Sequence, residues 1–352
     1  MQTDNYLEIS FTKAKSHILR KEFLEAEKIY QGILNKLPRN VHALKELTNL
    51  KKLRENSDSI FSPELQLNQI LNLSKSGKFL DAFEEAVMLA RKYPDTFMIW
   101  EVLGSLSTQI GKPDKAIEAY KQCIILKPNY ANAYIKIAVA YRTLGMLDDS
   151  IDAYQKFILL NPENADAYIN IGNALQVQLK FEQAIGFYNK ALSLNPNSAQ
   201  AFYNLGNAQL ALHKLENAIE SYNNALSINP NYIQALNNLG VALKDQGKFE
   251  EAITAYNNAI LLNPNYAQAY QNLGIILHIQ GAFEDSVKAY DKAISVNPDY
   301  AEAYNNLGIT LNSQSNFEDS VKAYKKAISI KPDYADAYNN LGVTLHTQRK
   351  LD

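Results

Sequence analysis

The sequence has little of what marks a secreted, membrane-spanning or catalytic chain. A single cysteine, Cys123, stands among 352 residues, which excludes an intrachain disulfide framework and fits a reducing compartment. No stretch approaches about 20 uninterrupted apolar residues, so the pattern holds no bilayer-spanning helix. The start, MQTDNYLEIS, lacks the basic and apolar blocks of a secretory signal, and the expected localisation is cytoplasmic. Charge of one sign is missing too. Lys plus Arg is 35 against 37 Asp plus Glu, a net −2, so neither nucleic acid nor an anionic membrane is an expected partner. The five histidines, His17, His42, His213, His278 and His346, never fall at metal-ligand spacing. GxSxG, HExxH, GxxxxGKS/T and GxGxxG do not occur in a strand–helix context. No catalytic residue, metal or cofactor is expected.

Proline is also scarce, at 11 residues, but seven of them obey a rule: Pro128, Pro162, Pro196, Pro230, Pro264, Pro298 and Pro332 follow one another at intervals of 34. A fixed period of this size marks a stacked-repeat architecture, which grows without a single central core. Within the copy from Ala301 to Pro332, Tyr304, Leu307, Gly308 and Leu311 form an apolar stripe at helical spacing. Phe317, Ser320, Val321, Tyr324, Ala327 and Ile328 form a second one. A turn that often carries glycine (Gly111, Gly145, Gly247, Gly281) separates the two helices, and proline stops the second. Gly172, Gly206, Gly240, Gly274, Gly308 and Gly342 sit on the buried stripe of the first helix, facing Ala184, Ala218, Ala252, Ser286 and Ser320 on the second. Small residues there predict a close approach of two antiparallel helices, with Tyr188, Tyr222, Tyr256, Tyr290 and Tyr324 filling the space beside them. Cys123 takes a small buried position of this kind and reads as a core thiol.

The 34-residue phrase W/Y–L–G–Y/L…A…Y/F…A…P resembles the tetratricopeptide repeat (TPR). Trp100, Leu103, Gly104, Ala116, Tyr120 and Pro128 carry it in one unit; Leu239, Gly240, Ala252, Tyr256, Ala259 and Pro264 carry it in another. The resemblance implies an all-α fold, a right-handed superhelical solenoid of antiparallel helix pairs. Units are expected to start at 63, 97, 131, 165, 199, 233, 267 and 301, with a partial unit at 335–352. Residues 1–62 read as a degenerate N-terminal repeat (7–40), a helix over 41–54 and a linker, with a soft boundary near 62. Because the partial unit stops where its second helix would begin, the chain is expected to be a fragment of a longer one.

One polar residue keeps strict register in the first helices: Asn170, Asn204, Asn238, Asn272, Asn306 and Asn340. Asparagine is up to ~0.7 kcal/mol worse than alanine inside a helix, so six copies in register ask for a reason. An amide offers a donor pair and an acceptor, which suit the main chain of an extended peptide. First helices roughly 8–10 Å apart would meet about every third residue of a strand advancing ~3.3–3.6 Å per residue. In tetratricopeptide arrays the first helices line the concave surface, and the row resembles the asparagine ladder in the repeat region of O-linked N-acetylglucosamine transferase-like proteins. The resemblance thus implies a peptide-binding groove formed by the row together with Asn173, Asn207, Val241, Ile275, Ile309 and Val343. The other reading stays open: the amides are repeat consensus, solvated or bonded to the next helix. The Lys/Asn cluster with which some family members clamp a terminal carboxylate is missing, since Ile169/Asn173, Tyr203/Asn207 and Asn237/Val241 stand at its spacing.

The expected function is therefore a non-catalytic protein–protein interaction scaffold that takes a protein or peptide segment. The alternative is the substrate-docking region of a longer enzyme, such as a glycosyltransferase, sulfotransferase or 2-oxoglutarate oxygenase. The sequence leaves the oligomeric state open.

Overall fold

The computed structural model describes residues 2–20, 22–60 and 62–351, and the side chains of 6–20, 22–53 and 62–349. The described residues form helices joined by turns, with no strand. Near the N-terminus lie α1 (Gln2–Leu19), α2 (Phe23–Lys36) and α3 (Val41–Ile60). The regular pairs follow: α4 (Pro63–Lys75) with α5 (Phe79–Lys92), α6 (Phe97–Gln109) with α7 (Pro113–Leu126), then α8 (Ala131–Thr143) and α9 (Leu147–Leu160). Next come α10 (Ala165–Val177) with α11 (Phe181–Leu194), α12 (Ala199–Ala211) with α13 (Leu215–Ile228), and α14 (Ile233–Asp245) with α15 (Phe249–Leu262). The last are α16 (Ala267–Ile279) with α17 (Phe283–Val296), α18 (Ala301–Ser313) with α19 (Phe317–Ile330), and α20 (Ala335–Leu351). First helices thus begin at residues 63, 97, 131, 165, 199, 233, 267, 301 and 335. None of these helices is long and apolar enough to cross a membrane.

The chain divides into two compact units, Met1–Ala140 and Tyr141–Asp352. The helix expected over 41–54 runs on to Ile60, because neither proline nor glycine interrupts Val41 to Ser62. Pro63 then enforces the break, and the Ser62 hydroxyl caps α4 by accepting from the Leu65 amide at 3.2 Å.

Local chemistry explains why each pair turns where it does. At the end of α14, Gly247 sits in the left-handed region (φ 81°), its amide donating to Lys244 O at 2.9 Å while Lys248 N donates to Leu243 O at 2.9 Å. This double closure is the Schellman motif, and glycine suits it because it has no Cβ to clash. Leu179, His213 and Ser315 hold the same position with φ of 60°, 54° and 62°, which costs an L-residue roughly 1–2 kcal/mol. Leu179 is 73% exposed and sacrifices little burial when removed. Leu179→Gly is therefore expected to stabilise the array by about 0.5–1 kcal/mol, read as a higher urea midpoint; a lower midpoint would contradict this. Between units, the asparagine before proline makes the turn: the Asn263 carbonyl accepts from Tyr266 N at 3.0 Å, and its side chain from Asn265 N at 3.0 Å.

The pairs close on a single repeated contact. A Cβ placed on Gly104, Gly172, Gly206, Gly240, Gly274 or Gly308 would lie 2.5–2.7 Å from the ring of Tyr120, Tyr188, Tyr222, Tyr256, Tyr290 or Tyr324 respectively. The tyrosine thus lies directly on the glycine rather than beside it. The 63–96 unit inverts the pair, with Ile70 on its first helix and Ala86 on its second, both buried in one core cluster. Ser286 and Ser320, where other units have alanine, donate across the pair to Gly274 O and Gly308 O at 2.8 and 2.7 Å. Each second helix from α11 onward also packs on the following first helix.

Candidate functional site

The six asparagines stand at the sixth position of α10, α12, α14, α16, α18 and α20, and consecutive first helices in this series touch. That proximity decides what most of the amides do. Asn204 Nδ2 donates to Asn173 Oδ1 at 2.7 Å and Asn238 Nδ2 to Asn207 Oδ1 at 2.8 Å. Asn272 Nδ2 donates to Asn237 Oδ1 and Asn340 Nδ2 to Asn305 Oδ1, both at 3.0 Å. In each case the row residue reaches back to an amide of the preceding unit. Asn170 accepts from Arg142 Nη1 at 3.3 Å. The row is thus not a line of free amides: four of its members have spent one N–H on locking neighbouring units together.

The acceptors follow a rule that the sequence contained and that composition alone did not expose. Residues four apart share one helix face, so either the fifth or the ninth position of a first helix can point at the next unit's asparagine. Where the ninth is Asn173 or Asn207, the fifth is Ile169 or Tyr203; where the fifth is Asn237 or Asn305, the ninth is Val241 or Ile309. Asn237 and Asn305 are inter-unit acceptors not picked out from the sequence, and both are buried. In α16 the two positions hold Gln271 and Ile275. Glutamine is one methylene longer than the asparagine found elsewhere, and no bond closes. Gln271 Oε1 is buried without a partner, and the Asn306 amide has none among the described residues.

Two of the acceptors also tie down the second helix. The Tyr222 hydroxyl donates to Asn207 Oδ1 at 2.8 Å, and the Tyr188 hydroxyl lies 2.9 Å from Asn173 Oδ1 and 3.0 Å from Gln176 Oε1. Asn207 Oδ1 therefore holds α12, α13 and α14 at one atom. Burial pushes both phenols far above their ordinary range, so they stay protonated donors at any ordinary pH. In the next unit the ninth position is Val241, which offers no acceptor, and the Tyr256 hydroxyl is buried without one.

The residues beside the row are mostly apolar, and two of the strip's carboxylates have a cation close by. Val241, Ile275 and Ile309 are half-buried and Val343 is exposed. Asp245 pairs with Lys244, and Glu302 lies 3.8 Å from Lys331. Elsewhere His17 bonds Glu22 at 2.6 Å, the His42 ring packs 4.5 Å from that of Phe11, and His278 bonds Thr310 at 3.0 Å. No group of three metal-binding side chains occurs among the described residues. Cys123 is fully buried; burial pushes its thiol up to about 12, far from thiolate chemistry.

Family models decide what the array is. Those described as tetratricopeptide or TPR repeats match residues 104–145, 131–164, 165–198, 199–232, 221–254, 242–281, 276–314 and 310–348, without a gap from 104 to 348. The chain is a tetratricopeptide repeat protein. It is 30% identical over 109 residues to the peroxisomal targeting signal receptor of Saccharomyces cerevisiae, a match spanning 30% of this chain and 17% of that receptor. Among solved structures, the Cut9–Hcn1 hetero-tetramer of the APC/C is similar over 96% of this chain and 75% of its own, with a TM-score of 0.54 at 16% identity, a likeness of fold. YrrB, described as a TPR protein with an unusual peptide-binding site, is 28% identical with a TM-score of 0.45, covering 56% of this chain and 99% of YrrB. MamA is 29% identical with a TM-score of 0.46, covering 50% and 96%. As an array of tetratricopeptide repeats, the chain is a protein–protein interaction scaffold.

Proposed function

We propose that the first-helix face from Asn238 to Asn340 binds an extended segment of a partner protein, chiefly by its main chain. The observation that carries this reading is the unclosed junction between α16 and α18. There Asn306 retains both N–H donors and its carbonyl, and Gln271 Oε1 lacks a donor. A peptide C=O and N–H satisfy the Asn306 amide without regard to side-chain identity, and Gln271 Oε1, being buried, takes a further N–H only once its side chain turns outward. The interlocked neighbours support the same reading differently. One bond to the preceding unit fixes the rotamers of Asn272 and Asn340, leaving each with a second N–H and a preorganised carbonyl, which lowers the cost of ordering on binding. Ile275, Ile309 and Val343 beside the row supply apolar contact for alternate side chains. The neutral, carboxylate-poor strip favours an uncharged segment over an acidic tail.

The test is selection of peptides from a random library on the whole chain, followed by isothermal titration of a selected peptide and its main-chain N-methylated derivatives. Methylation at every third residue is expected to weaken binding at least tenfold, each lost main-chain hydrogen bond being worth about 1 kcal/mol or more. Affinity that follows side-chain identity and ignores methylation would overturn the proposal.

A further inference from the structure

A cavity of about 650 Å³ lies between α5, α6 and α7, within the Met1–Ala140 unit and so separate from the asparagine row. A departure from the repeat lies in its lining. At the twenty-eighth position every other complete unit has leucine or isoleucine, Leu34, Ile124 and Ile260 among them; here the residue is Ala90. The hollow is floored by Phe83, Val87, Ala90 and Leu103, with the half-buried Trp100 indole as one wall. Trp100 is held in place by its Nε1 donating to Pro94 O at 2.7 Å. Volumes of roughly 300–1,000 Å³ are typical of small-molecule sites.

The rim gives the hollow a sign. Lys115 is bound to both oxygens of Glu118 at 3.0 Å, so that pair cancels, and Asp114 is the remaining acid. Against it stand two cations at the mouth, Arg91 and Lys112. Neither has a carboxylate partner among the described residues, and the Lys112 ammonium is parked over the Phe83 ring, 4.8 Å from its centroid. An ammonium in that position is available to exchange its weak ring contact for an anion.

From this geometry we propose that the hollow is a binding site for a small amphipathic organic anion, with an apolar or aromatic body on Phe83, Ala90 and Trp100 and an acid group at Arg91 and Lys112. The experiment uses the whole chain and 8-anilinonaphthalene-1-sulfonate as the probe. Trp100 is the only tryptophan, so saturable one-site binding is read as quenching of its emission with transfer to the probe. Ala90→Ile restores the residue that other units tolerate at this position. It is expected to leave the helical unfolding midpoint unchanged while weakening the probe at least tenfold. Arg91→Gln with Lys112→Gln, both on exposed side chains, is expected to weaken it about fivefold or more and to remove its salt dependence. Probe binding that is non-saturable, leaves Trp100 emission unchanged, or is equal in Ala90→Ile overturns the proposal.

Discussion

Tyr256→Ala is expected to destabilise the array by about 3–5 kcal/mol, the usual cost of emptying a buried aromatic site. Tyr256 is fully buried, and the ring lies where a Gly240 Cβ would otherwise come within 2.5 Å of it. A backbone left bare by glycine on one side and a lost ring on the other cannot collapse without sliding α14 against α15. The hydroxyl contributes none of this cost: it has no acceptor, so Tyr256→Phe should be neutral or slightly stabilising, whereas Tyr222→Phe should lose about 1 kcal/mol with its bond to Asn207. Because each unit of a solenoid is stabilised mainly by its neighbours, Tyr256→Ala should also split urea unfolding into two transitions. The Ile70/Ala86 pair shows that the opposite arrangement of bulk folds as well. Gly240→Ile combined with Tyr256→Ala should therefore recover part of the loss. Strictly additive penalties would show that the two positions do not share one space.

The second large effect is expected from Asn204→Asp. Asn204 is 7% exposed, donates to Asn173 and accepts from Gln200 Nε2 at 3.1 Å. A carboxylate keeps the second contact but turns the first into two facing oxygens, with a charge in a site shielded from water. About 3 kcal/mol at pH 7 is expected, comparable to breaking a buried ion pair. Burial raises the folded-state pKa of such a group above its unfolded value near 3.9. The penalty is therefore full above the folded pKa and fades as pH falls towards the unfolded one, where the protonated acid can again donate to Asn173 Oδ1. Urea titrations of variant and parent at pH 7 and near pH 4 read the difference. An equal penalty at both would show that the lost bond matters and the charge does not.

Much of this was legible in the sequence, at the level where a single unit suffices. The proline period, the two stripes and the small-against-large rule at Gly240 and Tyr256 are properties of one 34-residue phrase, and packing follows them. What lay outside were properties of neighbours and of single residues. The fate of the asparagine amides depends on how near one first helix comes to the next, which no helical wheel contains. Once that distance is known, the exchange of Ile169/Asn173 for Asn237/Val241 becomes readable as one acceptor kept on a common face. Leu179, His213 and Ser315 could not be picked out as left-handed, because their side chains do not announce it and only alignment on Gly247 does. The extension of α3 to Ile60 was hidden by a polar composition, ENSDS, that suggests a linker but contains no helix breaker.

The reading of the row as a grip on another main chain meets its sharpest test at Asn306, where binding and folding separate. Titrating a library-selected extended peptide into Asn306→Ala should show at least a tenfold loss of affinity with the urea midpoint unchanged or slightly raised, since that amide supports no neighbour and alanine is the better helix former. Asn272→Ala, which cuts a 3.0 Å inter-unit bond, should lower the midpoint as well. Wild-type affinity in Asn306→Ala would contradict the account and leave the asparagines as rivets between units.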